Sequence, residues 1–276
     1  MKNKKKIIII AVLVLLLIAA YKFLIVDRGN NKTIYVSGSI EATEVRLSFQ
    51  VPGKVATLLA DEGNTVKKGQ KVASLAKEEL QNIRDQAQGS FKEAELNWRN
   101  LEQDSQRLDN LFTAGSVSEQ KKDAAKTAAA TAQARMESWR AALGLAEVRL
   151  NYADLYAPLD GMVLVKSAES GEYIQPGGVI FTVADLRAVW LTGYVSETDL
   201  GKVKLNQEVN VKTDTFPSKV YTGKITFIAA EAEFTPKQIL TKEERVKRVY
   251  RIKISIDNET QELKPGMPAE GYIKLS

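Results

Sequence analysis

A short segment near the start of the chain recurs 108 positions later, and this repeat limits the possible folds more than any other feature. Residues 53–75 and 161–183 align without an insertion. The matching pairs are Gly53 with Gly161, Gly63 with Gly171, Val66 with Ile174, Gly69 with Gly177, Val72 with Ile180, and Leu75 with Val183. Each copy has the pattern of strand, tight turn and strand, with glycines where the backbone turns with positive φ. One copy is too small to close its own hydrophobic face, so we predict that two pseudo-symmetric halves form a small flattened β-sandwich.

Between the copies, the 77 residues 77–153 have helical character. They are rich in good helix formers. In the first arm, eight residues from Ala87 to Phe112 recur at alternating spacings of four and three. In the second arm, nine residues from Ala125 to Ala153 do the same, and all are apolar. This 3.5-residue period is typical of a coiled-coil seam.

The stretch "TAGSVS", residues 113–118, separates the two arms. Gly115 suits the end of the first helix, and Ser116 or Ser118 suits the start of the second. Two arms that meet at a tight turn pack antiparallel, so we expect Trp98 near Thr131–Ala132 and Phe91 near Ser138–Trp139. Each arm of about 36 residues would make a projecting hairpin of roughly 50 Å. The alternative is that both helices fold back onto a globular core, but charged and polar residues surround both seams and favour the hairpin.

Composition excludes several classes of chemistry. The chain has no cysteine and no histidine, so disulfides, thiol nucleophiles, imidazole bases and the usual zinc ligands are absent. No phosphate-binding loop of the GxxxxGK[ST] kind occurs. The net charge of +5 comes from 39 basic and 34 acidic residues that are interspersed, which argues against a nucleic-acid partner. We therefore expect no enzymatic activity, no cofactor and no bound metal.

The N-terminus predicts a membrane anchor. Residues 7–26 are apolar apart from Lys22, and a helix of that length reaches roughly 30 Å. Four lysines within residues 2–6 predict a cytoplasmic N-terminus, with the body on the other side of the membrane. The alternative is a cleaved signal peptide with Ala20 before the cut. Under both interpretations the body of the protein is exported across the membrane.

The whole arrangement resembles the HlyD/membrane fusion protein family of periplasmic adaptors. The sequence repeat resembles the two halves of a biotinyl/lipoyl domain, and the predicted hairpin is inserted between them. The segments "APLDGMV" and "GEYIQPGGVIFTVADL" within residues 157–186 also resemble sequences of this family. The resemblance implies an elongated α+β fold: an N-terminal transmembrane helix, a split lipoyl-like β-sandwich with an inserted antiparallel coiled-coil hairpin, and a six-stranded β-barrel. The implied boundaries are 1–32 for stub, anchor and linker, 33–76 with 154–185 for the lipoyl-like domain, 77–153 for the hairpin, and 186–276 for the barrel. No full membrane-proximal domain is expected after the barrel, and the strand 33–39 is expected to pair near it.

The family resemblance also implies partners. Members link an inner-membrane transporter to a TolC-like outer-membrane channel, and their bodies lie in the periplasm. Their copies assemble into a ring, which is a hexamer in the family. The stretch "TPKQILTKEERVKRVY", residues 235–250, is similar to adaptors of ABC-type exporters, while an RND pump stays possible. At the predicted hairpin turn, Arg107, Leu111 and Ser118 match the spacing by which family members engage such channels. Arg107 offers a guanidinium group that can bind carboxylates or carbonyls. Leu111 offers an apolar side chain, and Ser118 offers a small hydroxyl that allows close approach.

Two other functions remain open. One is an adaptor-like extracellular scaffold in a cell without an outer membrane, where the hairpin meets no duct. The other is a biotin or lipoate carrier module, whose modified lysine sits at the junction between the halves. This chain has a hairpin there and no Asp-Lys or Met-Lys-Met turn, and Lys77 and Lys166 are interpreted as solvated surface lysines. Intact mass would distinguish the carrier, because modification adds a fixed increment to one lysine.

Overall fold

The computed structural model describes residues 33–234 and 248–275. Within those ranges the helices are α1 (Glu78–Thr113), α2 (Glu119–Asn151) and α3 (Glu197–Leu200). The strands in the first part of the chain are β1 (Thr33–Ser48), β2 (Gly53–Leu58), β3 (Thr65–Val66), β4 (Lys71–Leu75), β5 (Asp154–Tyr156), β6 (Gly161–Lys166) and β7 (Tyr173–Ile174). They are followed by β8 (Val179–Ser196), β9 (Glu208–Thr213), β10 (Tyr221–Ile228), β11 (Glu233–Phe234), β12 (Arg248–Asp257) and β13 (Pro268–Lys274).

The described chain divides into two compact units. Residues 44–184 contain the sequence repeat and both long helices and are called the sandwich unit. Residues 33–43 and 185–275 are called the barrel unit. The chain passes between the units within β1 and again within β8. Residues 33–43 group with the C-terminal residues because β1 pairs with β13 from Thr33 to Ser39, as expected for this strand.

The two copies of the repeat close around each other by exchanging short strands. β2 of the first copy pairs antiparallel with β7 of the second, with Gly53 opposite Ile174. β6 of the second copy pairs antiparallel with β3 of the first, with Gly161 opposite Val66. The two pairings are related by the 108-residue offset of the sequence repeat. The predicted pseudo-symmetric sandwich is therefore confirmed, and each half completes the sheet of the other.

Backbone hydrogen bonds repeat with the same offset. The amide of Gly63 donates to the carbonyl of Val163 at 2.9 Å, and the amide of Gly171 donates to the carbonyl of Val55 at 2.8 Å. The glycines that the sequence places at turns all have φ between +80° and +94°: Gly63, Gly69, Gly171 and Gly177. This conformation costs a residue with a Cβ atom more than it costs glycine.

Apolar side chains from both halves form one core in the sandwich unit. Phe49, Leu75 and Phe181 are among its largest fully buried members. Leu80, in the first turn of α1, packs against the same core. The first turn of α1 is therefore joined to the sandwich by apolar contact.

The two long helices pack side by side in opposite directions and are called the helix pair. Near the turn, the ammonium of Lys122 lies 4.3 Å from the ring centre of Phe112. Far from the turn, the guanidinium of Arg140 lies 5.9 Å from the ring centre of Phe91, one residue from its predicted neighbours. The residues that the pair buries all lie on the predicted seams: Ala94, Ala129, Ala132, Met136 and Ala146.

One seam residue is less covered than the sequence suggested. Trp139 is 37% exposed, although it follows the spacing of the buried alanines on α2. Water borders both edges of a seam between only two helices, so a large indole is covered on one side alone. Small residues fit such a seam fully, and large ones fit it in part.

The barrel unit is a closed six-stranded barrel. Its strands follow the order β12, β10, β9, β13, β1 and β8, and a pairing of β8 with β12 closes the ring. The six strands expected for the barrel are present, and the short helix α3 follows β8. Inward side chains such as Ile225, Ile252, Ile254 and Ile273 are fully buried and fill the interior. A filled interior identifies a packed core rather than a pore.

A buried asparagine fixes the turn that follows β12. Asn258 is 1% exposed, and its amide nitrogen donates to the carbonyls of Leu186 at 2.7 Å and Leu263 at 2.8 Å. Its side-chain oxygen accepts the amide of Leu263 at 3.1 Å. Every polar atom of this side chain is therefore used, which is what burial of an amide requires.

The expected membrane anchor, residues 7–26, lies outside the described residues. Among the residues that are described, none of the helices combines the length and the apolar character needed to cross a bilayer.

Candidate partner-binding site at the turn of the helix pair

The turn of the helix pair is held by backbone hydrogen bonds. Gly115 has a φ of +71°, as predicted for the residue that ends the first helix. Its amide donates to the carbonyl of Phe112 at 2.9 Å, and the amide of Ser116 donates to the carbonyl of Leu111 at 2.8 Å. These two hydrogen bonds together form the Schellman motif, which satisfies the last carbonyls of a helix. The turn is therefore a defined surface rather than a frayed end.

Arg107 and Leu111 lie one helical turn apart, on the same side of α1. The Nη1 atom of Arg107 lies 3.0 Å from Oδ1 of Asp104, and 69% of the Arg107 side chain is exposed. An ion pair this exposed contributes little to stability. Leu111 is 39% exposed although it is a large apolar residue. Both side chains are therefore available to a partner.

Ser118 begins the second helix but does not cap it with its side chain. The residue has the extended conformation of an N-cap, with φ −77° and ψ 154°. Its carbonyl accepts the amide of Lys121 at 3.1 Å, while its hydroxyl makes no capping hydrogen bond. The sequence suggested a capping hydroxyl at Ser116 or Ser118. The structure places Ser118 at the right position and leaves its exposed hydroxyl unused for this purpose.

The sequence interpretation missed a polar groove beside the turn. The groove has a volume of about 360 Å³ and runs between the helices, with Glu102 and Asp109 on α1 and Lys122 and Lys126 on α2. These opposite charges stand beside the seams, and that pattern is the sequence signal that could have revealed the groove. Arg107 lies on another side of α1, because each residue turns the helix by about 100°. The groove and the Arg107–Leu111 surface are therefore separate features.

An ion-pair cluster holds the other end of the helix pair. Asp154, just after α2, lies between the ammonium groups of Lys71 on β4 and Lys77 at the start of α1. Burial alone would raise the pKa of Asp154, but the two ammonium groups outweigh that effect and hold this pKa below its ordinary value. The cluster ties the start of α1 and the segment that follows α2 to the sandwich.

The two lysines considered as carrier sites are not free in the structure. Lys77 bonds to Asp154, and Lys166 lies 2.9 Å from a carboxylate oxygen of Glu169 and 3.7 Å from Asp61. The hydrogen bond that Lys166 donates to Glu169 raises the pKa of Lys166, while desolvation opposes the shift. The expectation that both lysines are only solvated was therefore wrong, because the fold places carboxylates beside each ammonium group. Within residues 33–234 and 248–275, no cluster of three or more acidic residues could hold a metal ion.

Comparisons with known proteins agree with this architecture. Residues 43–185 match the family model of the CzcB-like barrel-sandwich hybrid domain, and residues 189–270 match the YknX-like beta-barrel domain. A UPF0194 membrane protein of Yersinia pseudotuberculosis serotype O:3 (strain YPIII) is 31% identical, with 97% of this chain and 98% of that protein covered.

Two solved structures are also similar. One is the membrane fusion protein Spr0693 from Streptococcus pneumoniae R6, with a TM-score of 0.70, 20% identity, and coverage of 88% of this chain and 99% of that one. The other is a MacA-MexA chimeric protein containing the Pseudomonas aeruginosa MexA alpha-hairpin domain, with a TM-score of 0.61, 26% identity, and coverage of 89% and 81%.

A barrel-sandwich domain that carries a long helix pair, together with a six-stranded barrel, defines a class of non-catalytic adaptors. The chain belongs to the membrane fusion proteins, the HlyD-like adaptor family, and within it to the UPF0194 membrane proteins.

Proposed function

We propose that this chain is the periplasmic adaptor of an efflux or secretion system and links an inner-membrane transporter to a TolC-like outer-membrane channel. It catalyses no reaction and needs no cofactor. Its parts are a stub, anchor and linker in residues 1–32, a lipoyl-like domain in 44–76 and 154–184, a coiled-coil hairpin in 77–153 and a barrel in 185–276. Residues 33–43, which the sequence assigned to the lipoyl-like domain, go with the barrel because β1 pairs with β13. Residues 7–26 hold the chain in the inner membrane as a single pass.

One observation carries the proposal more than any other: Arg107, Leu111 and Ser118 are exposed at the turn of the helix pair, and the backbone holds that turn without a side-chain cap from Ser118. The Schellman motif and the backbone of Ser118 maintain the turn. A guanidinium group, an apolar side chain and a small hydroxyl at one rigid end suit the helical tips of a channel. The family membership supplies the expectation that such a channel exists.

The remaining parts of the proposal rest on the family resemblance. The transporter is of the ABC type, since residues 235–250 are similar to adaptors of ABC exporters, with an RND pump as the alternative. Copies of the chain form a ring, which the family implies to be a hexamer. An adaptor-like scaffold without an outer-membrane channel is the competing function.

The substitution Arg107→Asp in the full chain tests the proposal. We expect normal expression and an unchanged unfolding midpoint, because the side chain is exposed, together with loss of export and of channel co-purification. Arg135→Asp is the matched control: it makes the same charge change at an exposed position of α2, away from the turn. If export survives Arg107→Asp at normal expression, the assignment of the turn is wrong. If export never depends on an outer-membrane channel, the scaffold function is favoured.

A further inference from the structure

The barrel unit has a tight turn between α3 and β9 that presents an apolar side chain. Residues 204–207, called the Leu205 turn, are closed by a hydrogen bond from the amide of Gln207 to the carbonyl of Lys204 at 3.4 Å. Asn206, the third residue, has a φ of +64°, which asparagine adopts more readily than most residues with a Cβ atom. Leu205, the second residue, is 57% exposed. A single exposed leucine is ordinary on a protein surface, so the meaning of this one depends on its surroundings.

The side chain of Gln207 fixes this turn to the end of β13. Its Oε1 atom accepts the amide of Lys204 at 2.9 Å, and its Nε2 atom donates to the carbonyl of Lys274 at 2.6 Å. The amide of Asn206 donates to a carbonyl of β10 at 2.8 Å, which ties the turn to a second strand. Leu205 is therefore held at a defined place on the barrel and does not belong to a loose loop.

The same end of the barrel is connected to the proposed membrane anchor. Thr33 is the first residue of β1 and pairs with Lys274, whose carbonyl Gln207 contacts. Only residues 27–32 separate Thr33 from the proposed anchor, residues 7–26. A linker of this length spans at most about 25 Å even when fully extended. The Leu205 turn is therefore held close to the membrane surface.

The charges around Leu205 suit an anionic surface. Lys204, directly before it, is exposed, and no ion pair involves Lys204 in the part of the chain that the structure describes. Glu208, the nearest acidic residue that follows, is already paired with the ammonium group of Lys274 at 3.6 Å. A lysine beside an apolar side chain fits the boundary between anionic lipid headgroups and hydrocarbon.

Two tyrosines near Thr33 have the orientation of aromatic residues at a membrane interface. Tyr35 and Tyr272 lie opposite each other on β1 and β13, with ring centres 5.7 Å apart. Their hydroxyls donate to the carboxylate of Glu270 at 2.9 and 2.8 Å. Glu270 lies two residues farther than Tyr272 from the Thr33 end of the barrel. The hydroxyls are therefore turned away from the membrane and the rings lie nearer to it, as in interfacial aromatic belts.

We propose that the Leu205 turn binds the lipid bilayer, with Leu205 inserted among the lipid headgroups and Lys204 against anionic ones. The contact gives the barrel a second point of attachment beside the anchor, which limits how far the body can tilt on the membrane. The inference deepens the proposed function and rests on it, because it uses the anchor in residues 7–26. A protein contact at the same turn is the alternative that the experiment separates.

A single fluorescent label tests the contact, because the full chain has no cysteine of its own. Leu205→Cys is labelled with the environment-sensitive dye NBD, and the full chain is reconstituted into vesicles of phosphatidylethanolamine and phosphatidylglycerol without any other protein. We expect a blue shift of the emission and quenching by lipids that carry a nitroxide at the headgroup. Adding Lys204→Glu should reduce both effects in these vesicles and leave them unchanged in vesicles of phosphatidylcholine alone.

Val220→Cys is the matched control, because Val220 is an apolar residue that is 52% exposed on the same barrel. It lies at the opposite end, since β10 runs from there towards the Leu205 turn and places Lys224 opposite Glu208. The label at position 220 should keep the emission of a dye in water and should not be quenched by the lipid nitroxide.

Three results would overturn the inference. If the chain floats with the vesicles while the label at position 205 stays in water, the lipid contact is wrong and the anchor stands. If the label becomes shielded only after the transporter is added, the turn binds protein and not lipid. If the full chain does not float with the vesicles, the anchor of the proposed function fails and the lipid contact fails with it.

Discussion

Gly161 lies so close to Ala184 that a Cβ atom added to the glycine would stand 2.4 Å from the Ala184 carbonyl oxygen. Its counterpart in the first copy, Gly53, meets only the side chain of Leu75, at 3.1 Å. The two positions are equivalent in the repeat but not in their surroundings. A backbone carbonyl in a paired strand has little freedom to move, whereas a leucine side chain can shift.

We therefore predict that Gly161→Ala destabilises the protein by about 3 kcal/mol and Gly53→Ala by less than about 1 kcal/mol. The reason is overpacking against backbone in the first case and against a flexible side chain in the second. Urea unfolding followed by circular dichroism measures both. Equal losses at the two positions would contradict the steric explanation.

Asp154→Asn should lower the free energy of unfolding by about 2 kcal/mol at pH 7, because it removes the charge shared by Lys71 and Lys77. The pKa of Asp154 is lower in the folded protein than in the unfolded chain. Its stabilising effect is therefore present above about pH 4 and is lost as the pH falls through the folded-state pKa. The difference between wild type and variant should shrink accordingly in unfolding experiments below pH 4.

Asp85→Asn is the control for that experiment. Its carboxylate pairs with Arg84 at 2.8 Å, but 62% of the Asp85 side chain is exposed. We expect a change within about 0.5 kcal/mol at every pH, because exposed pairs are screened by water. A loss as large as that of Asp154→Asn would show that burial of the cluster is not the cause.

Asn258→Asp should destabilise the barrel by about 3 kcal/mol, although the two side chains have the same shape. The substitution removes the donors to the carbonyls of Leu186 and Leu263 and places oxygen against oxygen. The loss should grow as the pH rises, since the ionised carboxylate faces the two carbonyls. Thermal unfolding across pH measures it, and Asn210→Asp, on the half-exposed face of β9, should be nearly silent.

Gly115→Ala and Gly89→Ala should change stability in opposite directions. Gly115 has a φ of +71°, so alanine there costs about 1 kcal/mol. Gly89 lies inside α1 with open space where a Cβ atom would be, so alanine should stabilise the helix by up to about 1 kcal/mol. Helicity and the unfolding midpoint report both effects. A stabilising Gly115→Ala would exclude the Schellman turn.

Much of this fold follows from patterns that a single stretch of chain contains. The repeat at a 108-residue offset indicates a two-part sandwich, because glycine spacing and strand polarity are local properties of the backbone. The alternating spacings in residues 77–153 indicate paired helices for the same reason, since a 3.5-residue period faces one neighbour. Even the end of α1 at Gly115 could be predicted, because only glycine adopts that φ cheaply.

Tertiary structure alone decided which distant residues meet. The exchange of strands between the halves, with Gly53 opposite Ile174, joins residues 121 positions apart and has no local signal. The bonds of Lys77 with Asp154 and of Asn258 with Leu186 likewise depend on how separate elements pack. The sequence determined the elements of this protein through backbone geometry and periodicity. The partners of each polar group were set by packing, because burial and charge pairing exist only once distant segments are brought together.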